Sequence, residues 1–136
     1  MEKPLAGAMS RAGLAASLRF HGFLEYEAGM ALMSEMDLLL VNHRSPLLVG
    51  TKAYDAIRLN RPVLALCRPG DALARLLRPF RHAYLATSAA EAAASLGEIA
   101  RLRPGCLDPG LDPRPYSREQ QARDFLPLLD SLLATR

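Results

Sequence analysis

A chain of 136 residues, half of them hydrophobic and 23% charged, is long enough for one soluble globular domain with its own core. Its net charge of +3 comes almost wholly from scattered arginines, since Lys3 and Lys52 are the only lysines. RPFR at 78–81 and RLRP at 101–104 lack the density and interleaved aromatics of a nucleic-acid surface, so no nucleic-acid partner is expected. Cys67 and Cys106 have no CxxC or Cys/His company, which argues against a disulfide framework and fits a reducing, cytoplasmic setting. No apolar run approaches the ~20 residues of a membrane span, and the opening MEKPLAGAMSRAGLAA lacks the sustained apolar core of a signal peptide.

In chain order, residues 1–17 read as a short Ala-rich helix or arm, with Pro4 in its first turn and Gly13 weakening its end. LRFHGF at 18–23 predicts a short strand closed by Gly22. LEYEAGMALMSEM follows as a helix with Tyr26, Met30 and Met33 on one face and Glu25, Glu27 and Glu35 on the wet one. Leu38 to Val41, after Asp37, is an uninterrupted apolar run of the kind a strand buried on both faces uses. A polar, turn-prone loop from Asn42 leads to Gly50 and Thr51 and a helix, KAYDAIRLN. Pro62 opens a second buried strand, VLALC, whose Cys67 is a small core residue.

DALARLLRPF at 71–80 is a helix with Asp71 at its N-cap, and HAYLATS at 82–88 is the last strand. Ser88 caps AAEAAASLGEIARLR, which Pro104-Gly105 stops. The proline-dense stretch 106–116 predicts an extended connector. Ser117 and Gln120 open a final helix whose stripe of Ala122, Phe125, Leu126, Leu129, Leu132 and Leu133 is kinked at Pro127. Residues 1–136 thus form one domain: an arm (1–13), an α/β core (14–105), the connector (106–116) and a C-terminal helix (117–136). The class is α/β, a Rossmann-like parallel sheet of about four strands with flanking helices.

On such sheets ligands bind beyond the carboxyl ends of the strands. Here that is the loop after Val41 and the helix start at Val49, Gly50, Thr51 and Lys52. Unpaired first-turn N–H groups, a glycine permitting close approach, a hydroxyl and an ammonium suit a phosphate or diphosphate. Asp55, three residues beyond Lys52, offers a carboxylate to ribose hydroxyls. The plainer alternative is Thr51 as an N-cap with Lys52 and Asp55 as a solvated pair. His21 and Gly22 end the expected first strand at the ligand face, and His43 and Arg44 lie in the loop after the second as candidate contacts. His82 stands at the opposite end and receives no role. Neither metal-ligand spacing nor a Ser/His/Asp or Cys/His arrangement is present, and no catalytic residue is named.

The succession F-x-G-F, M-D-L-L-L-V, G-T-K-A-Y-D-A-I, N-R-P-V-L-A-L and a late kinked helix resembles the C-terminal, nucleotide-sugar-binding half of GT-B-fold group 1 (retaining) glycosyltransferases, over roughly residues 14–135. The resemblance implies a donor diphosphate at Val49, Gly50, Thr51 and Lys52, a ribose at Asp55 in place of the family's Glu, and a base near Gly22 and Phe23. It implies transfer of a sugar from a nucleoside diphosphate to an acceptor, with the nucleotide-sugar as substrate, no cofactor and no metal. Two further strands bearing an Arg and a Lys, and the acceptor-binding domain, have no counterpart here, so the chain is expected to be incomplete or inactive alone. An open sheet edge would then seek a homodimer mate or a separate chain supplying the missing half. From a different class, a non-catalytic Rossmann-like remnant binding a nucleotide or partner also fits. A flavodoxin-like regulatory domain would need a phosphorylatable Asp at a strand end, and Asp37 precedes its strand.

Overall fold

The computed structural model describes residues 2–42, 45–102 and 108–134. An N-terminal helix α1 (Glu2–Arg11) and a 3-10 turn (Ala15–Ser17) lead into α2 (Tyr26–Ser34). Three β-α repeats follow: β1 (Leu39–Asn42), α3 (Thr51–Leu59), β2 (Val63–Leu66), α4 (Ala72–Leu77), β3 (Ala83–Ala86) and α5 (Ala89–Ile99). A second 3-10 turn (Arg114–Tyr116) precedes the 17-residue α6 (Arg118–Ala134), which carries Pro127 in its interior.

The strands form one parallel sheet in the order β1-β2-β3, with Leu39 opposite Val63 and Val63 opposite Ala83. Because successive side chains alternate across a strand, the sheet has two faces. Leu39, Val41, Val63, Ala65, Ala83 and Leu85 point to one, against Ala53, Ala56 and Ile57 of α3 and Leu73, Ala74 and Leu77 of α4. The alanines, with no exposed surface, let α3 and α4 lie close to the sheet. Leu64, Leu66, Tyr84 and Ala86 point to the other face, where Ala92 and Ile99 of α5 meet them. The α/β class and the parallel sheet with flanking helices are as expected.

The strand count is not. Residues 18–23 are irregular, and all but the half-buried Leu18 are exposed, so the sheet has three strands among the described residues rather than four. Arg19 and His21 alternate with Leu18 and Phe20, giving only two apolar positions on one face. Gly22, at φ +66, then turns the chain into the left-handed region, where an extended run ends. A second correction concerns β1. It is buried on one face only: α5 lies over β2 and β3, and Leu40 is 63% exposed. Among the described residues its outer edge has no neighbouring strand.

Helix α6 is the third departure. The apolar stripe read from its sequence does not pack: Phe125, Leu126, Leu129, Leu132 and Leu133 are all exposed, and the helix rests chiefly on the 3-10 turn before it. The connector is not simply extended either. Its Leu111 and Tyr116 pack against the core, Tyr116 tilting onto Phe80 with ring centroids 5.1 Å apart. Pro104, Gly105 and Cys106 lie outside the described residues.

Candidate functional site

The loop leaving β1 carries the chain over the carboxyl end of the sheet to the start of α3. Pro46 in that loop is tied down by Ala72, whose N–H donates to its carbonyl at 2.8 Å. Val49 packs on the core. Gly50, at φ −71 and ψ 149, is the N-cap of α3, so Thr51 is the first helical residue and not the cap. A glycine cap has no side chain to offer, so Gly50 itself gives the first turn of α3 no side-chain hydrogen bond. The start of α5 differs. Ser88 Oγ accepts from the Glu91 N–H at 3.2 Å, and Glu91 Oε2 accepts from the Thr87 N–H at 2.7 Å and its hydroxyl at 2.8 Å. These bonds hold the Glu91 carboxyl below its ordinary value. The α5 start is thus filled by its own capping residues, whereas the glycine cap of α3 supplies none.

Lys52 and Asp55 form an ion pair of 3.4 Å, with the lysine largely exposed and the aspartate side chain only 14% exposed. Asp55 Oδ1 also accepts a long bond, 3.5 Å, from the Tyr26 hydroxyl, which in turn accepts from Arg58 Nη1 at 3.1 Å. Thus α2 and α3 are joined by a chain Arg58–Tyr26–Asp55–Lys52. Tyr26, read from spacing as part of an apolar face with Met30 and Met33, is exposed and serves this polar chain instead, while Met30 is buried.

A cavity of about 440 Å³ opens beside this chain. Tyr26, Tyr54, Asp55 and Arg58 line one side, and Arg114, Tyr116 and Arg118 the other. The second wall is held by Asn60, the left-handed C-cap of α3 (φ 50), whose Nδ2 donates to the Asp108 carbonyl at 2.9 Å and whose Oδ1 accepts from the Asp108 N–H at 3.1 Å. Arg114 is fixed by Asp112, which accepts from Nε at 2.8 Å and from Nη2 at 2.9 Å. Sequence reasoning missed this cavity. Its one local signal is that Thr51, Asp55 and Arg58 recur at i, i+4 and i+7 on one face of a helix.

A second cavity, about 570 Å³, sits at the carboxyl ends of β2 and β3 between Pro46, Cys67, Arg68, Asp71, Thr87 and Ser88. Cys67 is buried, as expected, and burial, with the Asp71 carboxylate adding to it, pushes its thiol up, away from the thiolate form that attacks electrophiles. Asp71, at the N-cap of α4, accepts from the Arg68 N–H at 2.9 Å and closes the preceding turn.

The remaining expected contacts divide. Val49, Gly50, Thr51, Lys52 and Asp55 are brought together at one helix start. Gly22 and Phe23 belong to the irregular segment, and Phe23 is 89% exposed. His43 and Arg44 lie outside the described residues. Among the described residues no group of three or more His, Cys, Asp or Glu side chains is arranged to hold a metal, and no helix is long and apolar enough to cross a membrane. No family model, curated protein or solved structure matches the chain.

Proposed function

We propose that the chain is a nucleotide-sugar (donor) binding domain of glycosyltransferase type, which holds a nucleoside diphosphate sugar for transfer to an acceptor. The supporting observation is the start of α3. It stands beyond the carboxyl end of β1, its N-cap is a glycine that offers no side chain to the first-turn amides, and the Lys52–Asp55 pair lies one turn below. The amides and the helix dipole attract a diphosphate, Lys52 adds a cation, and the largely buried Asp55 carboxylate accepts from the ribose hydroxyls. Asp55 is also held by Tyr26, so its carboxylate is positioned before a ligand arrives.

Binding by these groups is not transfer. Departure of the diphosphate needs cations aimed at the developing charge, and among the described residues the first turn of α3 itself offers one, Lys52. The domain therefore acts with a second unit. The bare edge of β1 and the exposed Leu40 beside it favour a mate that docks there, either a second copy or a separate chain.

Melting of the purified chain against inorganic pyrophosphate, UDP, GDP and ADP tests the binding step. A ligand at 100 times its dissociation constant adds about 2.7 kcal/mol, several degrees for a domain of this size. Gly50→Val, at a backbone conformation any residue adopts, crowds the amides and is expected to abolish the shift, as is Asp55→Ala for the nucleotides. The reading fails if no diphosphate raises the melting point, or if both variants bind as well as the parent.

A further inference from the structure

We infer that the cavity between α2, α3 and the start of α6 seats the base of the bound nucleotide, and that Arg58 selects guanine there. This rests on the donor-site reading. Thr51, Asp55 and Arg58 stand at i, i+4 and i+7, so they form one row down α3, roughly 10 Å long at 1.5 Å per residue. With the diphosphate on the amides at the top of that row and the ribose at Asp55, the base falls at the third position. That position is the 440 Å³ cavity, within the size range of small-ligand sites.

The residues at Gly22 and Phe23 offer no comparable seat, since Phe23 projects into solvent. The cavity wall supplies what a base needs. Tyr26 and Tyr54 provide aromatic faces for stacking, and Arg58 and Arg118 provide donors. Arg58 donates Nη1 to the Tyr26 hydroxyl, which anchors its guanidinium in the cavity wall; in this assignment its Nε and Nη2 edge meets the base. A guanidinium presenting two parallel N–H groups matches two adjacent acceptors, the O6 and N7 of guanine. Adenine presents an amino donor where guanine has O6, so it meets the same fork with one mismatch.

The test is direct binding of pyrophosphate, GDP, UDP and ADP to the whole chain by calorimetry, for the parent, Arg58→Lys and Arg58→Ala. GDP is expected to bind about tenfold or more tighter than ADP. Arg58→Lys keeps the charge and loses the fork, so it should level GDP with ADP while leaving pyrophosphate within about twofold. Arg58→Ala should do the same, and its unliganded circular dichroism and melting report whether the fold is intact. If pyrophosphate binds but GDP and ADP do so equally, or if Arg58→Lys keeps the preference, the base assignment falls and the donor site stands. If neither pyrophosphate nor any nucleotide binds, both fall.

Discussion

Asn60 is the residue whose replacement tests most sharply how the cavity wall is built. It does two separable things. Its backbone occupies the left-handed region at the end of α3, and its side chain makes paired hydrogen bonds to Asp108, 48 positions away in sequence. The left-handed conformation costs a residue with a plain Cβ about 1 kcal/mol or somewhat more, and each hydrogen bond contributes about 0.5–1.5 kcal/mol. Asn60→Gly keeps the backbone and loses both bonds, a cost of roughly 1–3 kcal/mol. Asn60→Ala loses both and strains the backbone, roughly 2–4 kcal/mol. Asn60→Asp keeps the acceptor for the Asp108 N–H but sets a second oxygen against the Asp108 carbonyl in place of the donor, so it should lose more than that one bond. Urea denaturation followed by circular dichroism gives the three differences, with the slope of the transition checking that the unfolded state is unchanged. If Ala and Gly lose equal stability, the left-handed cap carries no cost. If both stay within about 0.5 kcal/mol of the parent, the connector is not held by Asn60 and the cavity wall has another support.

Two other expectations follow from the packing and the caps. Leu77→Ala, at a side chain with no exposed surface beneath α4, should lose about 3 kcal/mol and roughly 10 °C in melting temperature; a loss under 1 kcal/mol would mean that the α4 face of the core collapses around the gap. Glu91 is held below the usual carboxylate value by Thr87, so its contribution is present at neutral pH and disappears as pH falls through its folded value. The melting difference between the parent and Glu91→Gln should therefore be flat at neutral pH and shrink as pH falls below the ordinary carboxylate range, whereas a constant difference would refute the cap's charged role.

The sequence was most legible where one segment decides its own structure. LLLV, VLAL and AYLA read as strands because a parallel sheet tolerates continuous apolar runs, and the serine cap of α5 needed only its own first turn. LRFHGF was misread because strand-like content without a partner does not make a strand. Residues 18–20 remain unpaired even though the edge of β1 is open. The α6 stripe is apolar in the sequence, but periodicity states which side is apolar and not whether anything covers it. At the site, Val49 to Asp55 are near in sequence and were found together. The cavity was hidden because its walls come from α2, α3 and residues 113–119, and it is joined through Asn60 and Asp108 across a long loop.

The order of strands in the sheet is also their order in the chain, and this bears on how the domain forms. Each strand pairs only with its sequence neighbour, about twenty to twenty-five residues away, so no long loop need close before a contact rewards it. β2 alone is flanked on both sides, and its Val63, Leu64 and Ala65 are buried. Assembly can therefore begin at either crossover and converge on β2, which makes that strand the hub of a short-range, rapid folding route. The last amides to exchange with solvent should be its own.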